Sequence, residues 1–284
     1  MCLRWGVKSE SKGVRMTSTN NYETVLFEKS KGIGTITLNR PDRLNALNDK
    51  MGQELIGLFT LVDRDDEIRV VMITGVGRAF SAGADIKERL LGKIEQRKKG
   101  VIDDITDDFN EKAPLALARV RKPVIAAING LAVGWGCSLS LGCDIRIASE
   151  EARFSLPFTR VGLCPEMGSS YYLPHLVGIG KACELVFTGR MIDAKEAKEI
   201  GLVNQIVPVG QLMQSAYEIA ESIAKSAPLA MRVSKRTLYQ GLTNDLPVQV
   251  KHESFAINYL RGTKDHEEAA RAFLDKREPI FEGY

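Results

Sequence analysis

The chain has 284 residues, 44% apolar and 26% charged, a balance that fits a globular protein and excludes a wholly disordered, collagen-like or coiled-coil chain. Its 39 Lys and Arg against 36 Asp and Glu leave a net charge of +3, which makes no electrostatic case for nucleic acid but leaves room for local cations around a small anion. The five cysteines, Cys2, Cys137, Cys143, Cys164 and Cys183, contain no C-x-x-C pair, and the three histidines contain no H-x-x-x-H pair, so a reducing, cytoplasmic setting and no metal centre are expected.

Residues 1–20 carry four basic side chains and one acid, Glu10, without the apolar core of a signal peptide, and read as a disordered tail, with Met16 opening an ordinary start. Strands are expected over Val25–Glu28 and Gly34–Asn39, around a turn at Lys31-Gly32. Arg40-Pro41-Asp42 ends the second, and Asn48 is placed to cap an amphipathic helix reaching about Asp63. Arg69–Thr74, Val124–Ile128 and Asp144–Ala148 are apolar runs suited to strands buried on both faces, with helical patterns between them. That alternation argues for an α/β fold. Lys122 to Asp144 contains no charge between its ends, long enough for a bilayer, yet Pro123, Asn129, Gly130, Gly134, Gly136 and Gly142 interrupt it. A buried strand, a turn and a helix over Cys137–Gly142 explain it, and no membrane span is expected. After Val207 the strands stop, and 211–226, 228–241, 246–261 and 264–277 all read as helices. The expected organisation is a core over 21–207 and a helical region over 208–284 that covers a site or assembles subunits.

Two glycine-rich loops follow strands. Gly75-Val76-Gly77 begins like a dinucleotide fingerprint, but Phe80 stands where the third glycine belongs, so a Rossmann reading is weak. Phe80–Ile86, FSAGADI, offers small residues that let a ligand approach the backbone, and Asp85 could cap a helix starting at Ile86. Asn129–Gly136 leads from a buried strand into a helix, whose free N–H groups and dipole suit an anion or a developing oxyanion. Close packing is the alternative use of either set of glycines.

Four runs, RPDRLNAL (Arg40–Leu47), FSAGADIKE (Phe80–Glu88), KPVIAAINGLAVGWG (Lys122–Gly136) and TGRMIDAKEAKEIGLVNQIV (Thr188–Val207), together resemble the crotonase superfamily, the enoyl-CoA hydratase/isomerase family. The resemblance extends from about Tyr22 to the C-terminus. It implies a ββα spiral core with a C-terminal helical region, and a homo-oligomer, trimer or dimer of trimers. It also implies an acyl-CoA thioester as substrate, with no separate cofactor, and an enolate oxygen held by two backbone N–H groups. By motif position those belong to Ala84 and Trp135, the latter replacing the usual glycine and narrowing the acyl pocket.

On the same footing the substrate would lie along Arg43, Ala46, Ser81, Ala82, Gly83, Ala84, Asp85, Ile86, Lys87, Gly134, Trp135, Ser138 and Phe158, with Arg43 or Lys87 near the phosphates. Hydratases of the family use two glutamates; the matching positions here are Ser138 and Phe158, and neither can activate water. One acid remains, Glu166 in GLCPEMGSSYYLP, matching a Δ3,Δ2-enoyl-CoA isomerase subgroup. Its neighbours Leu163, Cys164, Pro165 and Met167 are mostly apolar, and desolvation by such a shell would raise a carboxyl pKa. The expectation is therefore isomerisation of 3-enoyl-CoA through Glu166. Hydration or another crotonase reaction is the alternative within the family, and a non-catalytic acyl-CoA- or RNA-binding scaffold the alternative outside enzymes.

Overall fold

The computed structural model describes residues 17–18, 22–100 and 109–284. The chain opens with β1 (Thr17–Ser18), β2 (Val25–Ser30) and β3 (Ile33–Leu38), followed by α1 (Asp49–Arg64). Next come β4 (Val70–Gly75), β5 (Ala79–Ser81), a short π-helical turn over Ile86–Leu91, α2 (Gly92–Lys98) and α3 (Phe109–Ala118). Then follow β6 (Val124–Ile128), β7 (Leu131–Val133), α4 (Trp135–Leu141), β8 (Ile145–Ser149), β9 (Arg153–Ser155), α5 (Ser169–Val177) and α6 (Ile179–Thr188). β10 (Ile192–Asp193), α7 (Ala194–Glu199), β11 (Gln205–Val207), α8 (Leu212–Ala224), α9 (Pro228–Gly241), α10 (Leu246–Arg261) and α11 (Lys264–Asp275) complete it.

Two sheets result. Seven strands run in the order β1-β2-β3-β4-β6-β8-β11, parallel from β3 onward, and four run β10-β9-β7-β5. Three times the chain passes from a long strand of the large sheet to a short strand of the small one: β4 to β5, β6 to β7, β8 to β9. Each pair is followed by helical turns, which makes the ββα unit of the spiral.

The alternation of side chains along the long strands fills two cores. Val71, Ile73, Val124, Ala126 and Ile128 face the side that carries α1, α4 and the small sheet. Val70, Met72, Ile125, Ala127 and Ile147 face α8. On α8 the buried positions are Leu212, Ala216, Ala220 and Ala224, a stripe with period four whose small side chains let the helix lie close to the sheet. Asn48 caps α1 as expected, its side chain accepting from the Met51 N–H at 3.0 Å.

The long strands fall within a residue or two of the sequence reading, and the last strand ends at Val207. β5, β7 and β9 do not appear in it, because three residues are too few to display an alternating pattern. β7 lies inside the segment read as a single glycine-rich loop, and α4 starts at Trp135, two residues before the expected Cys137. Thr17 and Ser18, expected in a disordered tail, pair with Lys29 and Glu28 of β2. The rest of that tail, 1–16 and 19–20, lies outside the described residues, as does 101–108. Among the described residues no helix is long and apolar enough to cross a membrane.

Candidate active site

β5, β7 and β9 are neighbours and all parallel, so the segments leaving their C-terminal ends emerge side by side. The segment after β5 carries Ala82–Lys87, the one after β7 carries Gly134 and Trp135, and the one after β9 carries Phe158 and Glu166. The three segments that carry these predicted residues thus start from one sheet end, the position favoured for ligands in parallel sheets.

The first two segments are in contact. A Cβ on Gly136 would sit 2.5 Å from the Ser81 carbonyl oxygen and 2.6 Å from the Ser81 Cβ, so only glycine lets α4 start this close to β5. Gly83 has φ +103°, and a Cβ there would also press on the Val133 carbonyl at 3.1 Å. Gly134 donates its N–H to the Ser155 carbonyl at 2.9 Å, which ties the end of β7 to β9. Among the described residues the N–H groups of Ala84 and Trp135 have no hydrogen-bond partner. Ala84 is half-buried and Trp135 is 1% exposed.

The loop that presents the Ala84 N–H is clamped on both sides. Leu47 donates to the Gly83 carbonyl and Asp85 donates back to the Leu47 carbonyl, both at 2.8 Å, while Ala82 donates to the Leu44 carbonyl at 2.9 Å. Ser81, fully buried, accepts the Gly83 N–H on its Oγ at 3.3 Å. The Asp85 side chain caps the π-helical turn by accepting from the Lys87 and Glu88 N–H groups, and Arg40 Nη2 lies 3.1 Å from it. Burial acts to raise the Asp85 pKa, but the Glu88 N–H and Arg40 outweigh it and hold the carboxyl below its ordinary range. Asp85, read from sequence as a substrate contact, has its carboxylate engaged in holding this loop.

Two residues that sequence reasoning passed over organise the same loop. Asn45, with φ +55° and no exposure, donates Nδ2 to the Val76 and Ala79 carbonyls and accepts the Arg40 N–H. Arg40 donates Nη1 to the Ala46 carbonyl at 2.5 Å and pairs with Asp85 and Glu88. Both lie within RPDRLNAL; an asparagine tolerant of positive φ beside an arginine that follows a strand was the available signal. The two expected phosphate contacts, Arg43 and Lys87, are exposed; of the other expected substrate-lining residues, Ile86 is 63% exposed and Ala46 is buried.

On α4, Ser138 is fully buried, and Phe158 is 4% exposed at the start of a 3-10 turn, Phe158–Val161. The next carboxylate is Glu166, half-buried in the connection to α5, whose carbonyl accepts the Ser169 N–H and Oγ. Its surroundings differ from the expected apolar shell. Met167 is buried, but Leu163 is 50% exposed and Cys164 is exposed. A cavity of about 560 Å³ elsewhere, between α9 and the Arg119–Arg121 loop, is lined by none of these residues.

Two unpartnered backbone N–H groups thus stand on segments that leave neighbouring parallel strands, an arrangement able to donate to an oxygen that gains charge. Residues 28–284 match the family model for enoyl-CoA hydratase/isomerase. The chain belongs to that family, the crotonase superfamily, and is an acyl-CoA enzyme of it. It is 40% identical over 255 residues to the short-chain-enoyl-CoA hydratase of Clostridium acetobutylicum, covering 89% of this chain and 95% of that protein. It is 35% identical over 264 residues to the 1,2-epoxyphenylacetyl-CoA isomerase of Escherichia coli, covering 92% and 99%. Among solved structures, an enoyl-CoA hydratase from Bacillus anthracis superposes with a TM-score of 0.86 at 38% identity, over 92% of this chain and 100% of that one.

Proposed function

We propose that this enzyme moves a carbon–carbon double bond from the 3- to the 2-position of an enoyl-CoA. The observation that carries the reading is the arrangement of three neighbouring strand ends: two deliver the free Ala84 and Trp135 N–H groups, and the third leads to Glu166, with a serine and a phenylalanine at the other two candidate positions. Glu166 takes a proton from C2 of a 3-enoyl thioester. The charge moves to the thioester oxygen, which accepts hydrogen bonds from the Ala84 and Trp135 N–H groups. The carboxyl then returns the proton at C4, and the double bond ends conjugated with the thioester. One group acts as base and then as acid, so this chemistry calls for no metal and no redox cofactor. Arg43 and Lys87, exposed beside the loop, suit the phosphates of CoA.

Phe255, Phe273 and Leu274, 77%, 84% and 80% exposed on α10 and α11, support subunit contacts through the C-terminal helices, in a trimer or a dimer of trimers. A cytoplasmic enzyme fits the absence of membrane helices among the described residues.

The test is 3-hexenoyl-CoA with ultraviolet detection of the conjugated product, Glu166→Gln alongside. Conjugation lost at least a hundredfold in the variant supports the reading. Conjugation unchanged in the variant removes Glu166 as the base, and none with wild type removes the reaction. Hydration is the second reading, favoured by the name of the Clostridium relative; it predicts loss of crotonyl-CoA absorbance instead.

A further inference from the structure

Among the described residues, four buried side-chain atoms have no hydrogen-bond partner: Arg89 Nη1, Asn129 Oδ1, Trp135 Nε1 and Ser138 Oγ. Arg89 Nη1 is ion-paired with Asp49 at 3.4 Å, but two of the others, Trp135 Nε1 and Ser138 Oγ, lie together on α4, the helix that starts at a candidate oxyanion residue. Buried polar atoms are nearly always paired, because leaving one unpaired costs the full desolvation of that atom, so such a concentration asks for a ligand.

Trp135 and Ser138 are the sharper pair. They are 1% and 0% exposed, three residues apart on one helix, and therefore on one face of it. The helix does not absorb the Ser138 hydroxyl. Ser140, two residues on, donates its Oγ to the Cys137 carbonyl, whereas Ser138 is held through its backbone alone, its N–H donating to the Gly134 carbonyl at 2.9 Å and its carbonyl accepting the Gly142 N–H at 3.2 Å. The indole N–H can only donate, and the serine hydroxyl can donate or accept. A plain hydrocarbon chain meets neither need. A hydroxyl oxygen meets both, and a carbonyl oxygen accepts from both.

We propose that Trp135 Nε1 and Ser138 Oγ bind an oxygen atom carried by the acyl group near its thioester, so that the favoured ligands are hydroxyacyl- or oxoacyl-CoA thioesters rather than unsubstituted ones. The inference rests on the acyl-CoA reading of the site: a thioester oxygen on the Trp135 N–H brings the first acyl carbons alongside α4. It does not depend on Glu166 being the base.

The experiment measures Kd by calorimetry for hexanoyl-CoA and for 2-hydroxy-, 3-hydroxy- and 3-oxohexanoyl-CoA, with wild type, Ser138→Ala and Trp135→Phe. The readout is the ratio of Kd values within each protein, so a general loss of affinity in a variant cancels. At least one oxygenated ligand should bind wild type about tenfold more tightly than hexanoyl-CoA, and that preference should collapse in both variants. A wild-type preference below threefold, as expected if the pair holds only water, overturns the proposal. So does a preference that survives both substitutions. If hexanoyl-CoA binds without discrimination, this inference alone falls; if no thioester binds, the acyl-CoA reading falls with it.

Discussion

The two ends of the parallel strands treat their polar groups in opposite ways. At the amino-terminal ends of β4, β6 and β8, partners are abundant. Asp144 accepts the Val124 N–H and the Tyr239 hydroxyl and pairs with Lys235, each at 2.7 Å. Lys122, 1% exposed, donates to the Val62 and Asp65 carbonyls at the end of α1. Arg69 donates to the Ala224 and Phe281 carbonyls, and Arg146 to those of Leu202 and Cys143. These links dock α9 and the C-terminal segment against the sheet. At the carboxyl-terminal ends of β5 and β7 stand the unpartnered N–H groups of Ala84 and Trp135 and the orphaned Ser138 Oγ. A satisfied polar group serves stability, whereas an unsatisfied one keeps its hydrogen-bonding capacity for something that is not protein.

The largest expected effect breaks the satisfied end. Asp144→Ala strips partners from Tyr239, Lys235 and the start of β6 at once, and should lower the unfolding free energy by ~4 kcal/mol in urea denaturation. Turnover per folded molecule should stay within twofold. A collapse of turnover with stability intact would show that the two ends are not separate in function.

Gly136→Ala tests the other end. Its methyl must displace the Ser81 backbone, because the nearest atoms are the Ser81 carbonyl oxygen and Cβ at 2.5 and 2.6 Å. The two N–H segments are pushed apart, and kcat should fall ~100-fold, which is ~3 kcal/mol of activation free energy. Gly57→Ala, where a Cβ would meet nothing within 4 Å, is the control and should leave kcat unchanged. Equal losses in both variants would mean that the Ser81–Gly136 contact carries no function.

Lys122 sharpens the comparison through pH. Desolvation by burial is the main cause that lowers its pKa from 10.5 to about 8, with Arg232 adding to it. The folded pKa lies below the unfolded one, so between the two the unfolded chain holds more protons and stability rises with pH. Wild type should therefore gain ~2 kcal/mol over Lys122→Met between pH 8 and 10. A flat difference across that range would mean that the two carbonyls keep the ammonium charged.

The long strands and the C-terminal helices were legible because their patterns are long. Val124–Ile128 is an unbroken apolar run, and the α9 and α10 boundaries coincide with the sequence reading. β5, β7 and β9 escaped it, since a three-residue strand is held by its neighbours rather than by its own periodicity. At the site, small residues and glycines announced two close backbone approaches, and both loops lie beside each other. The residue types of Arg40 and Asn45 hinted at a special loop, but their partners were not legible, because they are distant in sequence: the Val76 and Ala79 carbonyls for Asn45 and the Asp85 carboxylate for Arg40. The exposure of Leu163 and Cys164 beside Glu166 was not legible either, because an apolar residue type does not tell whether a loop buries it.

Asp85 is where the two ends meet in kind, a fully engaged carboxylate at the end otherwise left open. Asn can still cap the π-helical turn, so Asp85→Asn removes chiefly the charge facing Arg40 and should cost ~1 kcal/mol at pH 7. The folded carboxyl titrates below its ordinary 3.8, so the contribution is present above that value and is lost as pH falls through the lowered one. The gap between wild type and variant in thermal melts should therefore close on acidification below about pH 4. Turnover should fall only as far as the loosened loop displaces the Ala84 N–H, a few-fold in kcat with KM little changed. A hundredfold loss at unchanged stability would instead place this carboxylate against the substrate, and the open end would then contain a second acid besides Glu166.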